Sequence, residues 1–409
     1  MKEDWKEVKL KDVFHLYNGK AINVKETGKY PVYGSNGLIG YSDIEKFSNS
    51  IIIGRVGAYC GAVFYEKNKF WASDNTIVVK NKEDYDIEYL AYHIDLINLN
   101  WFAGGSAQPL LTHGWIKPIK IKVPPLPTQR KIAKILSAYD DLIENNLKRI
   151  KLLEEMAQNL FNEWYAINKD FEEVNLGSII GHEIGGGWGA EEQSDEFSKP
   201  AYVIRGTDID ELPNGKLEKV PFRFHKKSNL ASRKLQDGDI IFEVSGGSSY
   251  EGVAKTLLVT DELLTQFDNA VMPASFCKLA RPIERKYSSF LFLFWRFLRN
   301  IKGTEVFEIR SASNIVNYNW TAFLKFQKVK KPSETELERF NNKVEPIYKQ
   351  VYNLGNQNQR LKEARDILLP RLMTGMIDVE KLSEQADSEM EDELTMAAED
   401  VVEYGKEKI

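Results

Sequence analysis

The chain has 409 residues, 43% apolar and 28% charged, with two cysteines and a formal net charge of -5. That length predicts two or three domains with ordinary cores. Cys60 and Cys277 alone exclude a disulfide framework or a four-ligand zinc site, and five scattered histidines show no metal-ligand spacing, so no metal or cofactor is expected. The start, MKEDWKEVK, lacks an apolar signal core, and the greasiest run, Phe290 to Trp295, is too short to span a bilayer. The expectation is a cytoplasmic protein with no membrane partner. From Asp378 onward there are 12 acidic and 3 basic residues, leaving 48 acidic against 52 basic over residues 1–377, a net of +4. Residues 378–409 read as a solvated acidic tail, and the acidity of the whole does not argue against a nucleic-acid partner for the rest.

Short β-rich runs at Tyr30–Tyr33, Ser50–Ile53, Ala62–Tyr65 and Thr76–Lys80, separated by Gly, Asn and Asp, predict a mixed or antiparallel sheet. The spacing of Ile87, Leu90, Ala91, Ile94, Ile97 and Trp101 predicts a helix over 87–102, followed by a final strand at Ile119–Val123. From Pro124 a long helix follows, with Thr128 the expected N-cap. Its seam is Ile132, Leu136, Tyr139, Ile143, Asn146, Ile150, Leu153, Ala157, Leu160 and Trp164, in alternating steps of four and three. The second part of the chain repeats the plan with strands at Tyr202–Ile204, Asp239–Phe242 and Lys255–Val259, a helix at Ser288–Ile301, and a strand at Phe323–Val329.

Adding 208 to the first seam gives Phe340, Val344, Ile347, Val351, Leu354, Asn358, Leu361, Arg365, Leu368 and Leu372, behind Pro332 and a Ser333-x-x-Glu336 capping box. Pro346 is expected to bend or split this second helix. The starts of the halves also match, Trp5–Leu10 against Phe171–Leu176 at an offset of 166, as do Ser106–Trp115 and Ser311–Trp320 at 205. The second half therefore carries about 42 extra residues in its globular part. Two seams too narrow to be stable alone would bury against one another. The fold class is α/β (α+β) globules plus long helices, the two helices forming an antiparallel coiled coil in a pseudo-twofold internal repeat. The boundaries expected are 1–123, 124–168, 169–331, 332–377 and 378–409.

Catalytic constellations are missing. No Asn/Asp-Pro-Pro-aromatic loop for amino methylation of a base is present, and Pro124-Pro125 precedes Leu126. The glycine clusters Gly34–Gly37, Gly54–Gly57 and Gly185–Gly189 fit neither a Walker nor a Rossmann pattern. Glu284-Arg285-Lys286 is the kind of charged tripeptide expected by chance here. The chain is read as a binder without catalytic residues. Phosphates are met by cations and base edges by amide and guanidinium forks, so the DNA-binding candidates are polar and aromatic residues in glycine-rich loops. In the first globule these are Asn36, Arg55, Tyr59, Lys69, Trp71, Ser106, Gln108 and His113. In the second they are Trp188, Arg205, Lys226, Lys227, Arg233, Ser245, Ser248, Lys255, Arg310, Ser311 and Asn314. Asp74-Asn75 and Asp268-Asn269 recur at similar places and read as structural turns.

PPLPTQRKIAKILSAYDDLI, the run Tyr202–Ile209 behind a glycine-rich loop, and the ending Leu368–Gly375 together resemble the DNA sequence-specificity subunit of a type I restriction-modification system, over about residues 5–380. The resemblance implies two target recognition domains, each reading one half of a bipartite sequence in double-stranded DNA. It implies spacer helices that dock two methyltransferase subunits, and restriction subunits that join for cleavage. It implies no catalytic residue of the chain's own, and it transfers no base-reading residue. A coiled-coil scaffold or adaptor without sequence-specific DNA binding is the other reading. A helix of about 33 residues would span roughly 50 Å at 1.5 Å per residue, enough to hold half-sites about a helical turn or more apart.

Overall fold

The computed structural model describes residues 5–105, 109–168, 171–246, 253–310 and 315–381. Ser106, Gln108, Ser248, Ser311, Asn314 and nearly all of the acidic tail lie outside them. The chain divides into two compact units, Met1–Asp140 with Glu363–Ile409, and Asp141–Lys362.

In the first unit β1 (Lys6–Lys9) leads through the single turn α1 (Leu10–Val13) into β2 (Phe14–Asn18). With β3 (Tyr30–Gly34), β4 (Gly37–Ser42), β5 (Phe47–Gly54), β6 (Val63–Ala72) and β7 (Thr76–Asn81), β2 forms a six-stranded sheet ordered β2-β7-β5-β6-β3-β4. Ser50–Gly54 of the interior strand β5 is buried throughout. Helix α2 (Ile87–Leu96) is capped by the Asp86 carboxylate, which accepts from Tyr89 N at 2.9 Å, and it buries Ile87, Leu90, Ala91 and Ile94. The predicted helix to Phe102 is corrected. Ile97 is extended, Leu99–Phe102 forms a separate 3-10 turn, and Trp101 leaves the apolar face to stand 85% exposed. The short helix α3 (His113–Ile116) and β8 (Lys120–Val123) follow, and then the long helix α4 (Leu126–Ile167).

The second unit opens with β9 (Glu172–Asn175), β10 (Ile180–Gly185) and β11 (Lys199–Ile204). Next come β12 (Phe222–His225), α5 (Lys227–Arg233), β13 (Ile240–Glu243), β14 (Ser245–Gly246), β15 (Thr256–Leu258), α6 (Asp261–Leu264), β16 (Ala270–Pro273) and β17 (Cys277–Pro282). Helix α7 (Ser288–Asn300) is buried over most of its length; β18 (Glu308–Arg310), β19 (Val316–Tyr318), α8 (Trp320–Phe326), β20 (Lys328–Lys331) and α9 (Glu334–Met373) complete the unit's order. Sheets β10-β17-β13-β15, β12-β11-β16 and β14-β19-β18 enclose its core. The strand predicted at Phe323–Val329 is corrected as well. The Asn319 carboxamide accepts from Ala322 N at 3.1 Å and starts α8, so Phe323 is helical and only the end of the run is a strand.

The repeat found in sequence closes as a ladder in each unit. β1 pairs antiparallel with β8, Val8 opposite Ile121, and β9 pairs antiparallel with β20, Val174 opposite Val329. Each first-unit pair becomes its second-unit counterpart by adding 166 on one strand and 208 on the other, and Leu10 N to Ile119 O becomes Leu176 N to Gln327 O, 2.9 Å in both.

Helix α4 has 42 residues and α9 has 40, each inside the expected spans 124–168 and 332–377 and longer than its seam alone. Thr128 is not the N-cap: α4 has already begun at Leu126, and Gln129 closes its start by donating from Nε2 to Pro124 O at 2.8 Å. Ser333 Oγ does cap α9, accepting from Glu336 N at 3.4 Å. Pro346 does not split that helix; it lies on the exposed side, beside an exposed Asn342, where water can meet the carbonyl that proline leaves unpaired. In the first unit Ile132, Ala133 and Leu136 of α4 share a core with Leu369, Leu372 and Met373 of α9, and Asp140 pairs with Arg365. In the second unit Ile150 packs with Val351 and Leu354, and Ala157 and Phe161 share a core with Phe340, Val344 and Ile347. In both units the helices run antiparallel. The remaining seam positions Tyr139, Ile143, Leu153, Leu160, Leu361 and Leu368 are half-buried, and the polar interruptions Asn146 and Asn358 are buried.

Candidate nucleic-acid interface

In the first unit the loops that follow β2, β3 and β5 all meet the turn Ser73–Asn75 that follows β6. Lys20 N donates to Ala72 O at 2.8 Å, Ser73 N to Tyr33 O at 2.9 Å, and Arg55 N to Asn75 O at 2.9 Å. Ser35 Oγ donates to Asn75 O at 2.7 Å and accepts from Arg55 N at 3.2 Å. Gly19 has to be glycine, because a Cβ there would lie 1.8 Å from Ser73 O.

The second unit builds the same junction around Ala274–Phe276. Gly187 N donates to Pro273 O at 3.0 Å, Ala274 N to Ile204 O at 2.8 Å, and Val244 N to Phe276 O at 2.9 Å. A Cβ on Gly186 would lie 2.1 Å from Ala274 O. These bonds align the middles that diverge in sequence. The offset is 167 at Lys20 and Gly187, 171 at Tyr33 and Ile204, 189 at Arg55 and Val244, and 201 at Asn75 and Phe276. The extra residues therefore enter as several loops, the largest between β11 and β13. The apparent recurrence of Asp74-Asn75 is corrected by this alignment: its counterpart is Ser275-Phe276, whereas Asp268-Asn269 precedes β16.

Around the first junction lies a concavity of about 430 Å³, lined by Asn36, Tyr59, Ser35, Asn75 and Ala21 among others, with Tyr59 59% exposed. Of the sequence candidates, Asn36 and Tyr59 line this concavity, whereas Arg55 meets the junction through its backbone N–H. His113 is half-buried; burial, then the positive charges of Lys117 and Arg55, push its pKa down, which keeps the ring neutral. Lys69 lies apart on β6, exposed and paired with Glu45 at 2.8 Å. Trp71 is 9% exposed and donates from Nε1 to Lys20 O at 2.7 Å, so its indole serves the frame and is not presented for contact.

In the second unit Trp188 stands on the glycine-rich loop after β10 with the Arg223 guanidinium 5.0 Å from its ring centre. Arg205 is tied into the frame: Nε and Nη2 donate to the two Asp208 carboxylate oxygens at 2.9 and 2.7 Å, and Nη2 also donates to Lys219 O at 2.8 Å. Lys226 pairs with Glu196 and lies over Phe197. Arg233 donates to Gly185 O at 2.8 Å and bonds Ser232, bracing the glycine-rich loop. Ser245 Oγ donates to Asn317 Oδ1 at 2.9 Å, and Lys255 pairs with Asp210 at 2.7 Å. Lys227 and Arg310 are exposed. Glu243 occupies the place of Gly54; burial raises its carboxyl pKa against the lowering effect of Lys255.

Sequence reasoning missed Arg223, Asn317, Trp101, Asn75 as a side chain, and Phe276. Phe276 is 66% exposed on its turn, and no local pattern marks it. Among the described residues no group of three His, Cys, Asp or Glu side chains is placed to hold a metal, and no helix is long and apolar enough to cross a membrane.

Two units of one design, each closed by the same ladder and each contributing to a pair of long antiparallel helices, define an internally repeated protein with the specificity-subunit fold. Residues 2–155 match the model of the Type I restriction modification DNA specificity domain. Over 93% of this chain and 95% of the relative, the sequence is 25% identical to the Type I restriction enzyme MjaIX specificity subunit of Methanocaldococcus jannaschii. It is 31% identical to the EcoprrI specificity subunit of Escherichia coli over 38% of this chain and 39% of that one. The solved S subunit of a type I restriction-modification system from M. genitalium superimposes with a TM-score of 0.56 at 15% identity, covering 90% of this chain and 96% of that one. Over nearly its whole length the chain is therefore similar to type I restriction-modification specificity subunits, with the specificity domain itself matched at residues 2–155.

Proposed function

We propose that this chain is the non-catalytic DNA-reading subunit of a type I complex, in which each unit reads one half of a bipartite sequence in double-stranded DNA. The long helices set the distance between the halves and dock two methyltransferase subunits, and restriction subunits join that complex. The observation that carries this reading is the pair of four-loop junctions. Their backbones are fixed by equivalent hydrogen bonds while their side chains differ, Asn36, Arg55 and Asn75 in one and Thr207, Val244 and Phe276 in the other. A constant frame with interchangeable side chains is what reading two different half-sequences requires. The residue boundaries proposed for the modules are 1–123 and 169–331 for the readers, and 124–168 and 332–377 for the spacers.

The test is a selection of bound duplexes by the full chain together with its methyltransferase subunit, before and after residues 1–123 are exchanged for another such module. One half of the selected sequence should change and the other should persist. Changes in both halves, or no selected sequence at all, would refute the reading.

A further inference from the structure

Asn75 and Phe276 hold one position in the two junctions. Each follows the strand that hydrogen-bonds in parallel to β3 or β11, and each precedes β7 or β17 by one residue or less. The backbone carbonyl of each accepts from the residue after β5 or β13, Arg55 N at 2.9 Å in one unit and Val244 N at 2.9 Å in the other. A second bond locks each carbonyl, from Ser35 Oγ at 2.7 Å to Asn75 O and from Ser245 N at 3.3 Å to Phe276 O. With the backbone pinned at both places, both side chains are exposed, Asn75 lining the concavity and Phe276 free of the core.

Neither side chain has a structural task that would explain its type. A tight turn tolerates asparagine, but an exposed phenylalanine at the equivalent place gains no burial from folding, so the turn itself does not select either side chain. The two chemistries also differ in what they can read. A carboxamide can both donate to and accept from the adenine N6 and N7 edge, whereas a phenyl ring can only make apolar contact, for which the thymine methyl is the major-groove partner.

We propose that this turn position determines specificity in each unit, Asn75 forking onto an adenine edge in one half-site and Phe276 contacting a thymine methyl in the other. The proposal rests on the DNA-reading function above and adds which atom of each junction meets a base.

The experiment uses the full chain with its methyltransferase subunit, in selection and competition binding against duplexes substituted at every position of both half-sites. Asn75→Asp keeps the turn and the shape but removes the amide donors; it should lower discrimination at one base pair of one half by about tenfold or more. Phe276→Asn should lose preference for thymine over uracil, which lacks only the methyl, at one position of the other half. Asn75→Ala and Phe276→Ala, with melting temperatures matching the parent, guard against an effect of folding. Selection profiles unchanged at every base, with affinity either intact or weakened evenly across sequences, would overturn the proposal and leave the DNA-reading function standing. A parent complex that selects no sequence would overturn both.

Discussion

Trp164 lies almost flat against Phe340, with ring centres 4.4 Å apart and planes inclined by 21°. These are the last seam position of α4 and the first of α9, so the antiparallel register of the helices in the second unit is fixed at this contact. Phe340 is buried with Ala157 and Phe161 around it. Phe340→Ala should destabilise the second unit by about 3–5 kcal/mol through lost burial and a residual cavity. Chemical denaturation should show it as a lower midpoint, and a loss below 1 kcal/mol would mean that the ring contact does not hold the pair.

Pro346 sits inside an unbroken α9, where it supplies no N–H and crowds the carbonyl one turn back. Replacing it with alanine should stabilise the protein by about 1–3 kcal/mol. Thermal melting would show this as a rise in Tm; an unchanged or lower Tm would indicate that the helix needs the proline geometry.

Arg205 and Arg310 should separate in their effects. Arg205 neutralises the buried Asp208 carboxylate and ties down Lys219 O, so Arg205→Ala should cost about 1–3 kcal/mol of stability. Arg310 is exposed on β18, and Arg310→Ala should leave stability within about 0.5 kcal/mol while reducing DNA affinity evenly and the salt slope by about one. Salt-dependent binding and melting of the two variants, compared side by side, check this; reversed roles would contradict the placement.

His93 gives the first unit a pH dependence. Its ring packs at the end of α2 with Nδ1 3.2 Å from Tyr89 OH, and burial lowers its pKa from 6.5 to about 4. The depressed value means that the unfolded chain binds the proton more tightly. The contribution of neutral His93 is therefore present above pH 6.5 and is lost as the pH falls from there towards 4. The slope should be worth on the order of 1–2 kcal/mol, allowing for the ring's partial exposure, and His93→Gln should flatten it in urea titrations across that window. An unchanged slope would assign the acid sensitivity to carboxylates instead.

The seams, the repeat offsets 166 and 208 and the Ser333 cap were legible because they depend on local periodicity and on residues a few positions apart. The fates of the binding candidates were not. Lys69 meets Glu45, Trp71 reaches Lys20 O, and Ser245 reaches Asn317, partners 24, 51 and 72 positions away. No window on the chain contains those pairs. Trp101 continues a helical spacing in the sequence that the backbone abandons at Ile97.

By itself the sequence determined that there are two halves, each ending in a long helix with a heptad seam, since hydrophobic period and repeated spacing need no knowledge of the fold. Only the tertiary structure decided which residues of the two middles correspond. Equivalence there is carried by backbone hydrogen bonds between distant strands, while loops of unequal length shift the numbering from 166 to 208. Those bonds set Asn75 and Phe276 in the same place, and they separate the side chains that face outward from those spent on holding the frame.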